Sequence, residues 1–192
     1  NLTAARLGGA NLRGADLQRA RLGADSTSRA ADMSGADLSQ ASLTGADLRR
    51  VEGRGAILRE ACLDGADLRG IDLAGADLRG VKARKALFIQ ANLREADLEG
   101  ADLRDSHLND ANLVRARLRG VDLSSRHEEG FSVINLANLE GADLSGARLR
   151  NISAQDANLR NADLCGVDFT AAVLGGAILH RANVADADFT DV

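Results

Sequence analysis

Residues 36–50 read ADLSQ-ASLTG-ADLRR, three units of five with Leu38, Leu43 and Leu48 third in each unit and Ala36, Ala41 and Ala46 first. The register extends in both directions. From Met33 to Leu123 there are 19 consecutive third positions, or centres, and 15 of them are Leu. Of the 19 partners, two residues before each centre, 14 are Ala. Residues two apart on an extended chain share a face, so centre and partner turn inward together. A helix cannot hold this register, because 3.6 residues per turn would spread a five-residue period around its surface. Three extended residues followed by a corner, repeated, give a coiled strand. Gly recurs just ahead of the next partner, as at Gly35, Gly45, Gly65 and Gly100, where a corner needs a tight or positive-φ backbone.

The composition agrees with a narrow, regular interior. The 192 residues include no Pro, Trp or Tyr and only four Phe, so Leu and Ala must fill the core without the aromatics that pack irregular space. With 27% charged and 45% hydrophobic residues the chain is not of disordered composition. A net charge of −4 favours neither a nucleic-acid binder nor an extreme acidic surface. No apolar run approaches the roughly 20 residues that span a membrane, and no signal-peptide pattern is present. A cytoplasmic protein without membrane or nucleic-acid partners is the expectation.

The repeated Ala-Asp-Leu-x-x units (Ala36-Asp37-Leu38, Ala46-Asp47-Leu48, Ala66-Asp67-Leu68) resemble the pentapeptide-repeat family, with its A-[D/N]-L-x-x signature, over essentially the whole chain. The resemblance implies an all-β fold, a right-handed quadrilateral parallel β-helix in which four pentapeptides make one coil of about 20 residues. At the usual interstrand spacing of about 4.8 Å, nine to ten coils make a single rod on the order of 45 Å long.

Three centres are too small for the pattern, Gly53, Ala83 and Ala154, and each follows a β-branched partner, Val51, Val81 and Ile152. A close-packed interior requires such compensation. The phase slips twice, near 23–32 and 124–133, each time by one residue more than a multiple of five. Both stretches are polar and read as bulges or small loops leaving the rod.

The residues flanking each centre point outward. From Met33 to Leu123 ten acids precede centres, Asp47, Asp67 and Asp77 among them, and nine arginines follow centres, including Arg49, Arg69 and Arg79. Stacked acids repel from coil to coil, and interleaved Arg offsets this. The reading is a solvated charge mosaic in which Asp and Asn also bond the backbone at corners. Catalysis would need a nucleophile, a base and a concave site, and no such constellation is present, so no enzyme is expected. His107 and His127 lie about one coil apart near Glu128 and Glu129, but no metal-ligand spacing accompanies them, and neither a metal nor another cofactor is expected. Cys62 and Cys165 fall about five coils apart, roughly 25 Å, too far for a disulfide, and are expected to be free thiols.

Interaction residues are sought where the pattern is broken. Leu87 and Ile89 flank Phe88 and form a local apolar face, and Val173 and Ile178 fall near the last coil. The second slip contributes Arg126, His127, Glu128 and Glu129. Open rod ends expose unpaired backbone, so capping or an end-to-end homodimer is expected. The leading function is a non-catalytic protein-interaction scaffold whose partner the residues do not name. The alternative comes from the resemblance: some members imitate duplex DNA, bind type II topoisomerase (gyrase) and protect against quinolones or toxins. The side-by-side acids and arginines depart from the continuous negative surface that such imitation needs.

Overall fold

The computed structural model describes residues 1–24, 29–125 and 131–192. The chain climbs as a stack of coils in which parallel bridges join residues 20 apart, as in Asp47–Asp67–Leu87–His107. Four such columns exist, one on each side of the coil. Side 1 carries the centres Leu48, Leu68 and Phe88, side 2 Gly53, Leu73 and Leu93, side 3 Leu58, Leu78 and Leu98, and side 4 Leu63, Ala83 and Leu103. A corner follows every fifth residue, so each side contributes one bridged residue per rung rather than a long strand.

One pentapeptide, 67–71, accounts for the sequence rule. Asp67 N–H donates down to Ala46 O at 2.9 Å, while Leu68 and Gly70 N–H donate up to Leu87 O (2.8 Å) and Ile89 O (2.9 Å). Ile71 N–H closes the corner onto Leu68 O at 3.1 Å. Only the Arg69 N–H is left, and the Asp67 carboxylate accepts it at 3.2 Å. Asp or Asn before the centre therefore caps a backbone N–H that otherwise depends on solvent. The same bond recurs at Asp47–Arg49, Asp77–Arg79 and Asn112–Val114. Where Lys82 stands in that place, Asp64 from the coil below accepts the Arg84 N–H instead, at 2.9 Å.

Each corner places its third residue in the left-handed region, the pattern of a type II turn. Gly70 does so at φ 67°, but Arg50, one rung below it, holds φ 58° without being glycine. A non-glycine residue there costs roughly 1–2 kcal/mol, offset by the rung hydrogen bonds that the corner aligns.

The interior is a continuous core. Leu68, Leu73 and Leu98 and their partners Ala66, Ile71 and Ala96 are fully buried. Gly53 is filled from above and below: a Cβ there would meet Met33 and Leu73 side-chain carbons, each at 3.0 Å. Phe88 and Phe169 are fully buried centres, and Phe169 stacks on Phe189 with centroids 5.2 Å apart. Leu2, Leu7, Leu12 and Leu17 in the first coil, and Leu174 and Leu179 in the last, are only partly covered.

Across two segments the bridge spacing becomes 26: Arg6 pairs with Asp32 and Arg21 with Asp47, then His107 with Val133 and Asp122 with Arg148. Each coil takes in six extra residues and then returns to the same four sides. At the first, Leu22 and Gly23 N–H both donate to Asp47 O at 2.9 Å, the doubling that marks a β-bulge. At the second, Ser132 N–H donates to Ser125 Oγ at 2.7 Å, drawing the two ends of the extra segment together. Residues 25–28 and 126–130, and with them Arg126, His127, Glu128 and Glu129, lie outside the described residues.

Candidate interaction surface

The rod presents its chemistry in columns, so what matters is which outward residues share a side. On sides 3 and 4 the acids and arginines interlock. Asp77 accepts Arg79 Nη2 at 2.8 Å within its own coil and Arg59 Nε at 2.6 Å from the coil below. Arg104 grips Asp102 through two bonds of 2.6 and 2.8 Å, and Arg84 reaches Asp102 from below at 3.1 Å. Side 2 adds amide contacts to its charges. Asn92 donates to Asp72 at 2.9 Å and Asn158 to Asn138 at 3.0 Å, each across one rung.

Arginine contacts of this kind lower the proton affinity of Asp77, Asp47 and Asp102. The Arg79 guanidinium first, then Arg59 and the Arg79 N–H, hold the Asp77 carboxyl down at about 2, against partial burial that acts the other way. Asp47 and Asp102 are lowered in the same direction, chiefly by Arg49 and Arg104. A folded-state value below the unfolded one of about 3.9 means that the stabilisation is complete above that pH and is lost on acidification. The rod is therefore expected to lose stability between about pH 4 and pH 2, and Asp77→Asn to flatten that dependence while keeping the corner hydrogen bond. Chemical-denaturation midpoints taken across this range check it, and equal slopes in both proteins would contradict it.

Side 1 departs from this scheme. Its lower rungs carry Arg49–Asp47 and Arg69–Asp67 pairs, but from Leu87 upward the charges stop. The two outward columns then read Leu87/Ile89, His107/Asn109, Val133/Asn135, Ser153/Gln155 and Val173/Gly175. Among the described residues no other side runs two rungs in succession without Asp, Glu, Lys or Arg. The stripe is about 19 Å long at 4.8 Å per rung. Asp110 and Asp156 at its corner toward side 2 bound it with charge. Beside it stand Phe131 (52% exposed) and Leu136 (58%), and Val173 within it is 49% exposed.

The structure thus places Leu87, Ile89 and Val173 on one side, Leu87 and Val173 four rungs apart. Ile178 is on side 2, above the Asn158 amide. Val133, Phe131 and Leu136 belong to the same surface and were not anticipated. The signal that finds them is the 20-residue alignment corrected by six at each slip. Cys62 and Cys165 are free, on sides 4 and 3, and Cys62 Sγ lies 3.2 Å from Thr44 Oγ1. Among the described residues no group of three His, Cys, Asp or Glu could hold a metal ion, and no helix is long and apolar enough to cross a membrane. A shallow depression at the corner of sides 2 and 3 is lined by Asp77, Arg79, Glu95, Asp97, Arg115 and Arg117, whose charges are paired across rungs.

Comparison with solved structures places this architecture among known rods. HetL, a pentapeptide repeat protein involved in heterocyst differentiation regulation in the cyanobacterium Nostoc sp., is 28% identical, with 97% of this chain and 91% of HetL covered and a TM-score of 0.59. Two trypsin-treated forms of QnrB1, a plasmid-mediated fluoroquinolone resistance protein, match with TM-scores of 0.62 and 0.63. They are 21% and 18% identical, covering 83% and 98% of this chain and 76% and 86% of theirs, a likeness of fold alone. A search of curated protein sequences gave no match. The family model for pentapeptide repeats matches in eight copies, over residues 1–23, 31–70, 71–110, 86–125, 135–170 and 157–192. With its Asp-capped corners and Leu-Ala core, the chain belongs to the pentapeptide-repeat family.

Proposed function

We propose that this right-handed four-sided β-helix is a non-catalytic interaction scaffold, and that the uncharged upper half of side 1 is its contact surface. The observation that carries this is the run of five charge-free rungs from Leu87/Ile89 to Val173/Gly175, on a rod whose other sides are charged or amide-lined. Releasing water from Leu87, Val133 and Val173 favours contact, and no ion pair has to be desolvated to make it. End-to-end pairing of two copies would be a separate contact, covering the half-buried Leu174 and Leu179.

Gyrase modulation by DNA imitation is the competing reading, and the ion pairs argue against it. Asp67 with Arg69 and Asp77 with Arg79 and Arg59 set both signs side by side. Their fields largely cancel within a Debye length of about 8 Å. The expected result is that the purified rod neither inhibits gyrase supercoiling nor protects it from a quinolone. Salt-sensitive inhibition at low micromolar protein would overturn the scaffold reading in favour of imitation. A photo-crosslinker at Val133 is expected to give discrete adducts in cells, and one at Asp143, on the opposite side of the same coil, is not. Equal adducts from both positions would contradict the assignment of side 1.

A further inference from the structure

The foot of the uncharged stripe adjoins a cluster of three basic residues. Lys82, Arg84 and Lys85 occupy the three outward positions of side 4 and its corner, and the chain then turns through Ala86 into Leu87 and Ile89 on side 1. All three basic residues are exposed, while Leu87 and Ile89 are half-buried. Arg84 is committed to Asp102 at 3.1 Å and Asp64 at 3.9 Å. Lys82 and Lys85 have no ion-pair partner within 4 Å among the described residues. Their acidic neighbours one rung up are engaged elsewhere: Asp102 holds Arg104 and Arg84, and Asp105 accepts Ser125 Oγ at 3.1 Å. Beneath Leu87, Asp67 is neutralised by Arg69 through two bonds of 2.6 and 2.8 Å. The corner therefore combines two ammonium groups that make no ion pair among the described residues with an adjacent apolar shelf that carries no charge of its own.

We infer that this corner docks an acidic peptide segment bearing an aliphatic or aromatic anchor, with carboxylates against Lys82 and Lys85 and the anchor on Leu87 and Ile89. The inference rests on the scaffold reading and specifies its partner. Charge complementarity sets the sign of the partner and steers its approach, while the apolar shelf holds it. A nucleic acid fits less well, because a phosphate chain needs a basic track longer than two lysines.

Fluorescence anisotropy on the full chain tests it with three labelled probes: an alternating glutamate–leucine peptide, an all-glutamate peptide and a neutral serine–leucine peptide. The glutamate–leucine peptide alone is expected to bind saturably. Affinity should fall about tenfold or more in Lys82→Glu/Lys85→Glu and in Leu87→Ser/Ile89→Ser, and should weaken with salt. Unchanged melting curves of both variants would establish that folding is intact. Absence of saturable binding, or binding that the lysine reversal leaves unchanged, overturns the inference. Equal binding of the serine–leucine peptide, abolished by Val133→Arg, also overturns the acidic specificity but leaves side 1 as the contact surface. Tighter binding of a single-stranded oligonucleotide, lost in the lysine reversal, overturns it in favour of nucleic acid.

Discussion

Leu68→Asp is expected to abolish cooperative unfolding of the rod. Leu68 is fully buried, its side chain stacked in the side 1 column between the centres Leu48 and Phe88. A carboxylate there would lose its hydration with no cation inside the core to receive it, at a cost of several kcal/mol even after its proton affinity rises. The geometry enlarges the consequence. Each coil of a solenoid contacts only the coils above and below, so a break at one rung separates the stack into two shorter cores. Leu68→Met, which keeps volume and polarity, should cost less than about 1.5 kcal/mol. Thermal melts followed by circular dichroism check both, and a wild-type melt for Leu68→Asp would put that side chain outside the core.

Phe88→Ala should destabilise by about 3–5 kcal/mol, within the range for truncating a buried aromatic. Phe88 is a completely buried centre, and it follows Ala83, a small centre on the preceding side of the same coil. Removing the ring leaves two undersized centres in succession. Phe88→Leu restores the commonest centre and should be markedly milder. Phe88 also backs the shelf, since Leu87 and Ile89 are its immediate neighbours. Denaturant melts that place Phe88→Ala within about 1 kcal/mol of wild type would mean that neighbouring side chains close the gap.

What the sequence revealed depended on whether a feature repeats every five residues or every twenty. The five-residue period exposed the core, because Ala36 and Leu38 differ sharply in polarity from Asp37. It also exposed the carboxylate caps, since Asp or Asn recurs at a fixed place. The left-handed backbone of the corners was legible only where glycine marks it: Gln40, Arg50 and Glu60 adopt the same conformation with side chains in solvent, where no hydrophobic pattern flags them. Gly53 shows a second limit. Val51 beside it was readable, but Met33 and Leu73, which also fill the space, are neighbours only through the coil. The interaction surface met the same obstacle. Leu87 and Ile89 stood out locally, whereas Val133 joins them only when the six residues added by the second slip are counted.

The register is therefore the claim on which the surface depends, and one distance tests it. Nitroxide labels at Leu87→Cys and Val173→Cys, with Cys62 and Cys165 changed to Ser, should report a narrow distance distribution by double electron–electron resonance. Four rungs on one side separate those backbones by about 19 Å, and labels projecting from the same face should stay near that value. A broad distribution, or a distance matching positions on opposite sides of the rod, would contradict the register and dissolve the uncharged stripe with it.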